Sequence, residues 1–209
     1  ADFRVKKYQL DFSVGLNLTG SAKVYVDRSE LKSYRFTLYH GYKVKQVTDQ
    51  TGAALDFRRE YDYVTVTRGG AAVEYLCLEY TGKSPKYYSS YAGVCLPANF
   101  AYYPIPGYRE LFSDNFYGFI DCSLPYDTAF DVRCSGRKQM YCNLAARGDN
   151  HFAGNAHSIT LLSGYYDTLK LNDTLVVYPK YADTEIRARI KKNMGTFTKE
   201  HRDIRTIFI

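Results

Sequence analysis

YQLDFSVGLNLTGSAKVYV, residues 8–26, places Tyr8, Leu10, Phe12, Val14, Leu16 and Leu18 at every second position. Gln9, Asp11, Ser13, Gly15, Asn17 and Thr19 fall between them. A period of two is the repeat of a β-strand with one face buried and one wet. Thr19-Gly20 supplies a turn, and Ala22, Val24 and Val26 then alternate with Lys23, Tyr25 and Asp27. The pair reads as a β-hairpin long enough to belong to a broad antiparallel sheet.

Strand signals recur at close spacing beyond it. Tyr34, Phe36 and Leu38 lead to a turn at His40-Gly41, and Lys43 to Thr48 follows. Tyr63 to Thr67 is β-branched at four of five positions, which favours a strand. Val73 to Tyr80 is apolar on both faces, as a central strand would be. Gly118 to Ser123 and Ala129 to Cys134 come next, and Ser135-Gly136 reads as a hairpin turn into Gln139 to Asn143. Ser158 to Leu162, Thr168 to Leu171 and Thr174 to Tyr178 complete the series. Many short strands broken by Gly, Asn and Asp predict an all-β fold, an antiparallel β-sandwich or a related layered sheet.

The pattern changes after Pro179. Asp183 is placed to cap a helix, Glu185 suits its first turn, and Ile186, Ile190 and Met194 share one face. Gly195 is placed to close that helix, and Ile204 to Ile209 add a further apolar segment. The expected division is a β domain over 1–181 and a helix and strand over 182–209 that lead into a further domain.

Composition narrows the function. An apolar share of 45% is enough for a real core, and no apolar run approaches the ~18 residues that cross a bilayer. The net charge of +6 is spread among acidic residues without a Lys/Arg block, which argues against nucleic acid. Five irregularly spaced cysteines do not make a disulfide framework. No His-Glu-x-x-His, Gly-x-Ser-x-Gly or phosphate-binding glycine loop is present, and no two histidines are spaced i, i+4. His151 and His157 flank a short loop without cysteine or acidic partners at ligand spacing. The expectation is no catalytic residue, no metal ligand and no cofactor within these residues.

The aromatics are the remaining candidates. The long connection Glu79 to Phe112 holds four of the six prolines and much of the tyrosine. Connections of this length in a compact domain are usually functional or in contact with something else. Tyr87, Tyr88, Tyr91, Tyr102, Tyr103 and Tyr108 are expected to offer a groove or surface, to a peptide or to a neighbouring domain. The competing expectation is tyrosines that cap the edges of a sandwich with their hydroxyls in water.

A family resemblance emerges from the order of short motifs. Phe36-Thr-Leu-Tyr-His-Gly41 ends a strand in a turn, Val44 to Val47 follows, and Leu76-Cys-Leu-Glu-Tyr-Thr-Gly82 ends another. A tyrosine-rich loop reaches Tyr103-Pro104, then come Phe130 to Cys134 and Tyr141-Cys-Asn143-Leu144. Over roughly residues 5 to 181 this resembles the N-terminal β domain of the alanyl-aminopeptidase-type zinc metallopeptidases. Leu96 to Pro104, reading Leu-Pro-x-x-Phe-x-Tyr-Tyr-Pro, is similar to the versions fused to bacterial ABC-transporter permease proteins.

The resemblance implies a saddle-like β domain, outside the cytoplasm, that covers an active site carried elsewhere. Its implied partners are a downstream catalytic domain of the same chain, membrane-spanning permease segments and peptide. Zinc is implied for the parent protein, whose catalytic domain carries His-Glu-x-x-His. The family's Asp-Glu-Pro is replaced here by Ile105-Pro106-Gly107-Tyr108, so its substrate-binding residues are not carried over. A different class of function, a free-standing β-sandwich that binds peptide or glycan through the tyrosines, is the alternative.

Overall fold

The computed structural model describes residues 1–89, 93–109 and 122–209, except for the side chain of Tyr87. The first strands are β1 (Val5–Val14), β2 (Leu18–Val26), β3 (Ser33–Thr37), β4 (Tyr42–Thr48), β5 (Phe57–Glu60) and β6 (Tyr63–Thr67). Then come β7 (Tyr75–Gly82), β8 (Gly93–Leu96), β9 (Ile105–Pro106), β10 (Thr128–Ser135), β11 (Gln139–Cys142) and β12 (Ala145–Gly148). The last are β13 (His151–Ala156), β14 (Leu161–Gly164), β15 (Tyr166–Leu171), β16 (Thr174–Pro179), helix α1 (Thr184–Glu200) and β17 (Thr206–Phe208).

Among the described residues these strands form four sheets. The largest has the order β12-β13-β10-β1-β2-β7-β4, and a four-stranded sheet runs β5-β6-β3-β9. Two three-stranded sheets run β11-β14-β8 and β15-β16-β17. The fold is all-β and largely antiparallel, as the alternation requires. Two pairings are parallel, β1 with β10 and β16 with β17, because their connections cross over instead of turning back.

The opening hairpin turns earlier than its alternation implies. Chain reversal falls at Gly15 to Asn17, where the Gly15 N–H donates to the Asn17 carbonyl at 3.1 Å. Leu16 is therefore 78% exposed, and Thr19-Gly20 lies inside β2. Gly20 is there for another reason: a Cβ would press into the ring of Tyr80 on β7. The expected β10–β11 hairpin also does not form. Ser135 and Gly136 turn the chain out of the large sheet, and β11 pairs with β14 instead. Of the expected strand Gly118 to Ser123, residues 118–121 lie outside the described residues.

Alternate residues of β1, β2 and β7 (Tyr8, Leu10, Phe12; Ala22, Val24; Leu76, Leu78, Tyr80) face one continuous core with Phe36, Leu38, Val64 and Val66. The four-stranded sheet and the β11-β14-β8 sheet therefore pack over one face of the large one. Its other face is wet, with Gln46, Glu79, Ser21, Asp11, Arg133 and His151 in register across six strands.

Helix α1 belongs to a second, smaller core. Ile190, Ala182, Val176 and Tyr178 form it, with Leu169, Leu171, Met194 and Ile207 packed against it. Asp183 caps the helix as its sequence implies, accepting from the Ile186 N–H at 2.8 Å. Gly195 does not end it, because buried Thr198 continues the inward stripe of Ile190 and Met194 for another turn. Ile186 is 47% exposed although it is four residues from Ile190.

Candidate functional site

The proline-rich connection enters the molecule. Ala101 to Gly107 are seven consecutive buried residues, threaded between the large sheet and the four-stranded one. Irregular backbone placed inside a protein needs partners for its polar groups. Tyrosines supply many of them here. Tyr8 on β1 donates its hydroxyl to the Pro104 carbonyl at 2.8 Å, and Tyr80 on β7 donates to the Tyr102 carbonyl at 2.8 Å. The Tyr39 N–H serves Ala101, the Thr37 hydroxyl serves Gly107, and β9 pairs with β3. Tyr102 reaches on to the Ile159 carbonyl at 2.9 Å. Burial raises the pKa of Tyr8, Tyr80 and Tyr102 well above the ordinary tyrosine value, which keeps each hydroxyl a neutral donor.

This placement corrects the expected tyrosine surface. Tyr102 and Tyr103 are fully buried core residues and offer nothing to a partner. Sheets cover the thread from two sides, so consecutive residues go inside where an alternating strand would expose one of them. Tyr88 is half-buried against Phe100, ring centroids 4.8 Å apart. Tyr108 is 52% exposed, edge-on to Tyr63 and beneath the Arg35 guanidinium. Tyr91 and the side chain of Tyr87 lie outside what the structure describes. The four tyrosines that are described do not share one groove.

Two of the short motifs meet in space. Gly82 pairs with Tyr42, and a Cβ on Gly82 would collide with the Gly41 carbonyl. Tyr80 and Gly82 are thus fixed by different demands two residues apart, one as a donor to the thread and one as a gap for the His40-Gly41 turn. Asp62 locks the same turn. Its buried carboxylate accepts from the His40 N–H at 2.6 Å and lies 2.9 Å from His40 Nδ1. Arg59 clamps it further, donating to the carbonyls of Leu38, Tyr39 and Tyr61. Burial lowers the Arg59 pKa, with Asp62 opposing the shift. None of this was visible as spacing, since Asp62 and His40 are 22 residues apart.

Among the described residues no three His, Cys, Asp or Glu side chains come together as a metal-binding set. His151 and His157 do not meet. His151 is committed to Asp131 at 2.9 Å, and His157 to the Leu124 carbonyl at 2.8 Å.

A large cleft opens elsewhere, between β11–β13 and the C-terminal sheet. Its volume is about 1170 Å³, and its far wall is Leu175, Asp203, Arg205 and Thr206.

No family model and no curated protein matches this sequence. Solved structures do resemble it. Native yeast LTA4 hydrolase aligns with a TM-score of 0.66 at 11% identity, over 100% of this chain and 38% of that one. Yeast LTA4 hydrolase in complex with bestatin gives 0.63 at 14% identity, over 95% and 34%. The M1 zinc metallopeptidase of Deinococcus radiodurans gives 0.54 at 15% identity, over 87% and 49%. The chain spans less than half the length of each of these three. At such identities the likeness is one of fold: this chain has the all-β fold of the N-terminal domain of M1 zinc metallopeptidases, with a short C-terminal helix.

Proposed function

We propose that this chain is the non-catalytic β domain of a larger zinc-aminopeptidase-like protein, where it forms one wall of a peptide cleft and docks the catalytic domain. That catalytic domain would lie downstream in the same polypeptide and hold the zinc. In this reading the parent is associated with ABC-permease segments of the membrane and presents the domain outside the cytoplasm. The Leu96 to Pro104 motif supports the permease link.

The observation that carries the docking role is a concentration of exposed apolar surface. Tyr165, Tyr181, Ile186 and Ile209 are 60%, 79%, 47% and 48% exposed, all within 165–209, beside the small core that α1 shares with β16. Exposed apolar side chains concentrated in one segment of the chain support a surface that another domain covers.

The test begins with the gene, which is expected to continue past Ile209 into His-Glu-x-x-His. In the longer polypeptide, amides of 181–190 should exchange more slowly than in the 209-residue chain, and Ile186→Asp should abolish the difference. A gene that ends at Ile209 overturns the reading. So does hydrolysis of aminoacyl substrates by the 209-residue chain that survives further purification.

A further inference from the structure

Three strand edges that pair with no further strand among the described residues converge on the cleft between β11–β13 and the C-terminal sheet. β11 pairs with β14 on one side, β12 with β13, and β17 with β16, and each is the outer strand of its sheet. Every residue of β11 and β12 lines the cleft, together with Arg205 and Thr206 at the start of β17. The free side of an outer strand carries alternate N–H and C=O groups with no ladder partner, a template for one more strand.

Of these edges β12 is the most accessible. It reads Ala145-Ala146-Arg147-Gly148, exposed at all four positions, whereas β11 buries Met140 and Cys142. Its side chains are small except for Arg147, so they screen the backbone little. It carries no Pro and no Lys, but its four-residue length and the register shift between Ala146 and Gly148 limit the edge to a short stretch of pairing. The cleft exceeds the ~300–1,000 Å³ of ordinary small-molecule pockets.

We propose that this cleft captures an extended peptide, which adds to β12 as an additional outer strand of the large sheet. Recognition is through the peptide backbone and is therefore tolerant of sequence. Leu175, on the far wall and 36% exposed, meets side chains that point across the cleft. Arg147 and Arg205 make no ion pair among the described residues and are available to a carboxylate on the peptide. The docking role is read at Tyr165, Tyr181, Ile186 and Ile209, none of which lines this cleft.

The test uses the 209-residue chain and a fluorescein-labelled hexapeptide of alternating Thr and Val. Saturable binding is expected, with slowed amide exchange at Ala145 to Gly148. N-methylation of alternate peptide residues in the register that faces β12 should weaken binding about tenfold for each bond lost, and the other register should change it little. Leu175→Asp should weaken binding while the far-ultraviolet dichroism is unchanged. Absence of saturable binding overturns the proposal, as does binding equally indifferent to both N-methylation registers. Protection at 145–148 that grows with protein concentration without peptide assigns the edge to a second copy of this chain and also overturns it. Failure here leaves the docking role intact, since that is read at 181–190.

Discussion

Tyr80 shows how one side chain can be legible in kind and illegible in role. Its place at the end of an apolar strand is plain from the sequence, but its use as a donor to the Tyr102 carbonyl needs the thread to be in place. Tyr80→Phe removes that donor and leaves a buried carbonyl unpaired, at a cost of about 1–3 kcal/mol in chemical denaturation. Gly82→Ala is expected to cost at least as much, because the new methyl meets the Gly41 carbonyl and backbone cannot step aside as a side-chain tip can. The thiols add a pH dependence. Burial pushes Cys134 and Cys142 up to about 12 from an ordinary 9. Folded thiols then hold protons that unfolded ones lose. Their contribution to stability is full below pH 9 and is lost as the pH climbs from 9 through 12. The melting temperature should fall steadily above pH 9, and less steeply in a Cys134→Ala/Cys142→Ala variant.

At the scale of elements, alternation was the reliable signal and connection the unreliable one. β1, β2, β4, β6 and β7 follow their side-chain period to within a few residues, since a single-residue slip would turn every core residue outward. The β10–β11 turn misleads because Ser135-Gly136 is equally able to reverse a chain or redirect it, and only the partner strand decides. Strands with weak alternation were missed: β12 is exposed throughout, and β13 carries Gly154 and Asn155. The helix combines a correct start with an early stop. Its cap at Asp183 follows from local chemistry, and Asp183→Ala should cost about 1 kcal/mol. Gly195, by contrast, lies inside the helix with open space where a Cβ would go. Gly195→Ala should stabilise the chain by about 0.5–1 kcal/mol, seen as a raised denaturant midpoint with an unchanged slope.

For the whole molecule, the all-β class was readable because the long strands of the large sheet carry one wet and one dry face. The candidate surface was not, because tyrosine satisfies two opposite environments: water, or a dry interior with a carbonyl within reach. Nothing in Tyr102-Tyr103 announces that two sheets will close over both residues. The exposed apolar side chains of 165–209 were hidden for a similar reason, since exposure depends on which neighbours are absent.

The buried tyrosines also make the chain its own optical probe. It contains 22 tyrosines and no tryptophan, so its near-ultraviolet absorbance above 270 nm and its intrinsic emission come almost wholly from phenols, many of them sealed in the core. In an alkaline titration the rings of Tyr8, Tyr80 and Tyr102 should turn to phenolate only as the sheets separate, because burial holds their hydroxyls protonated. That late step of the phenolate band would then report the opening of the thread, without a label and without a substitution.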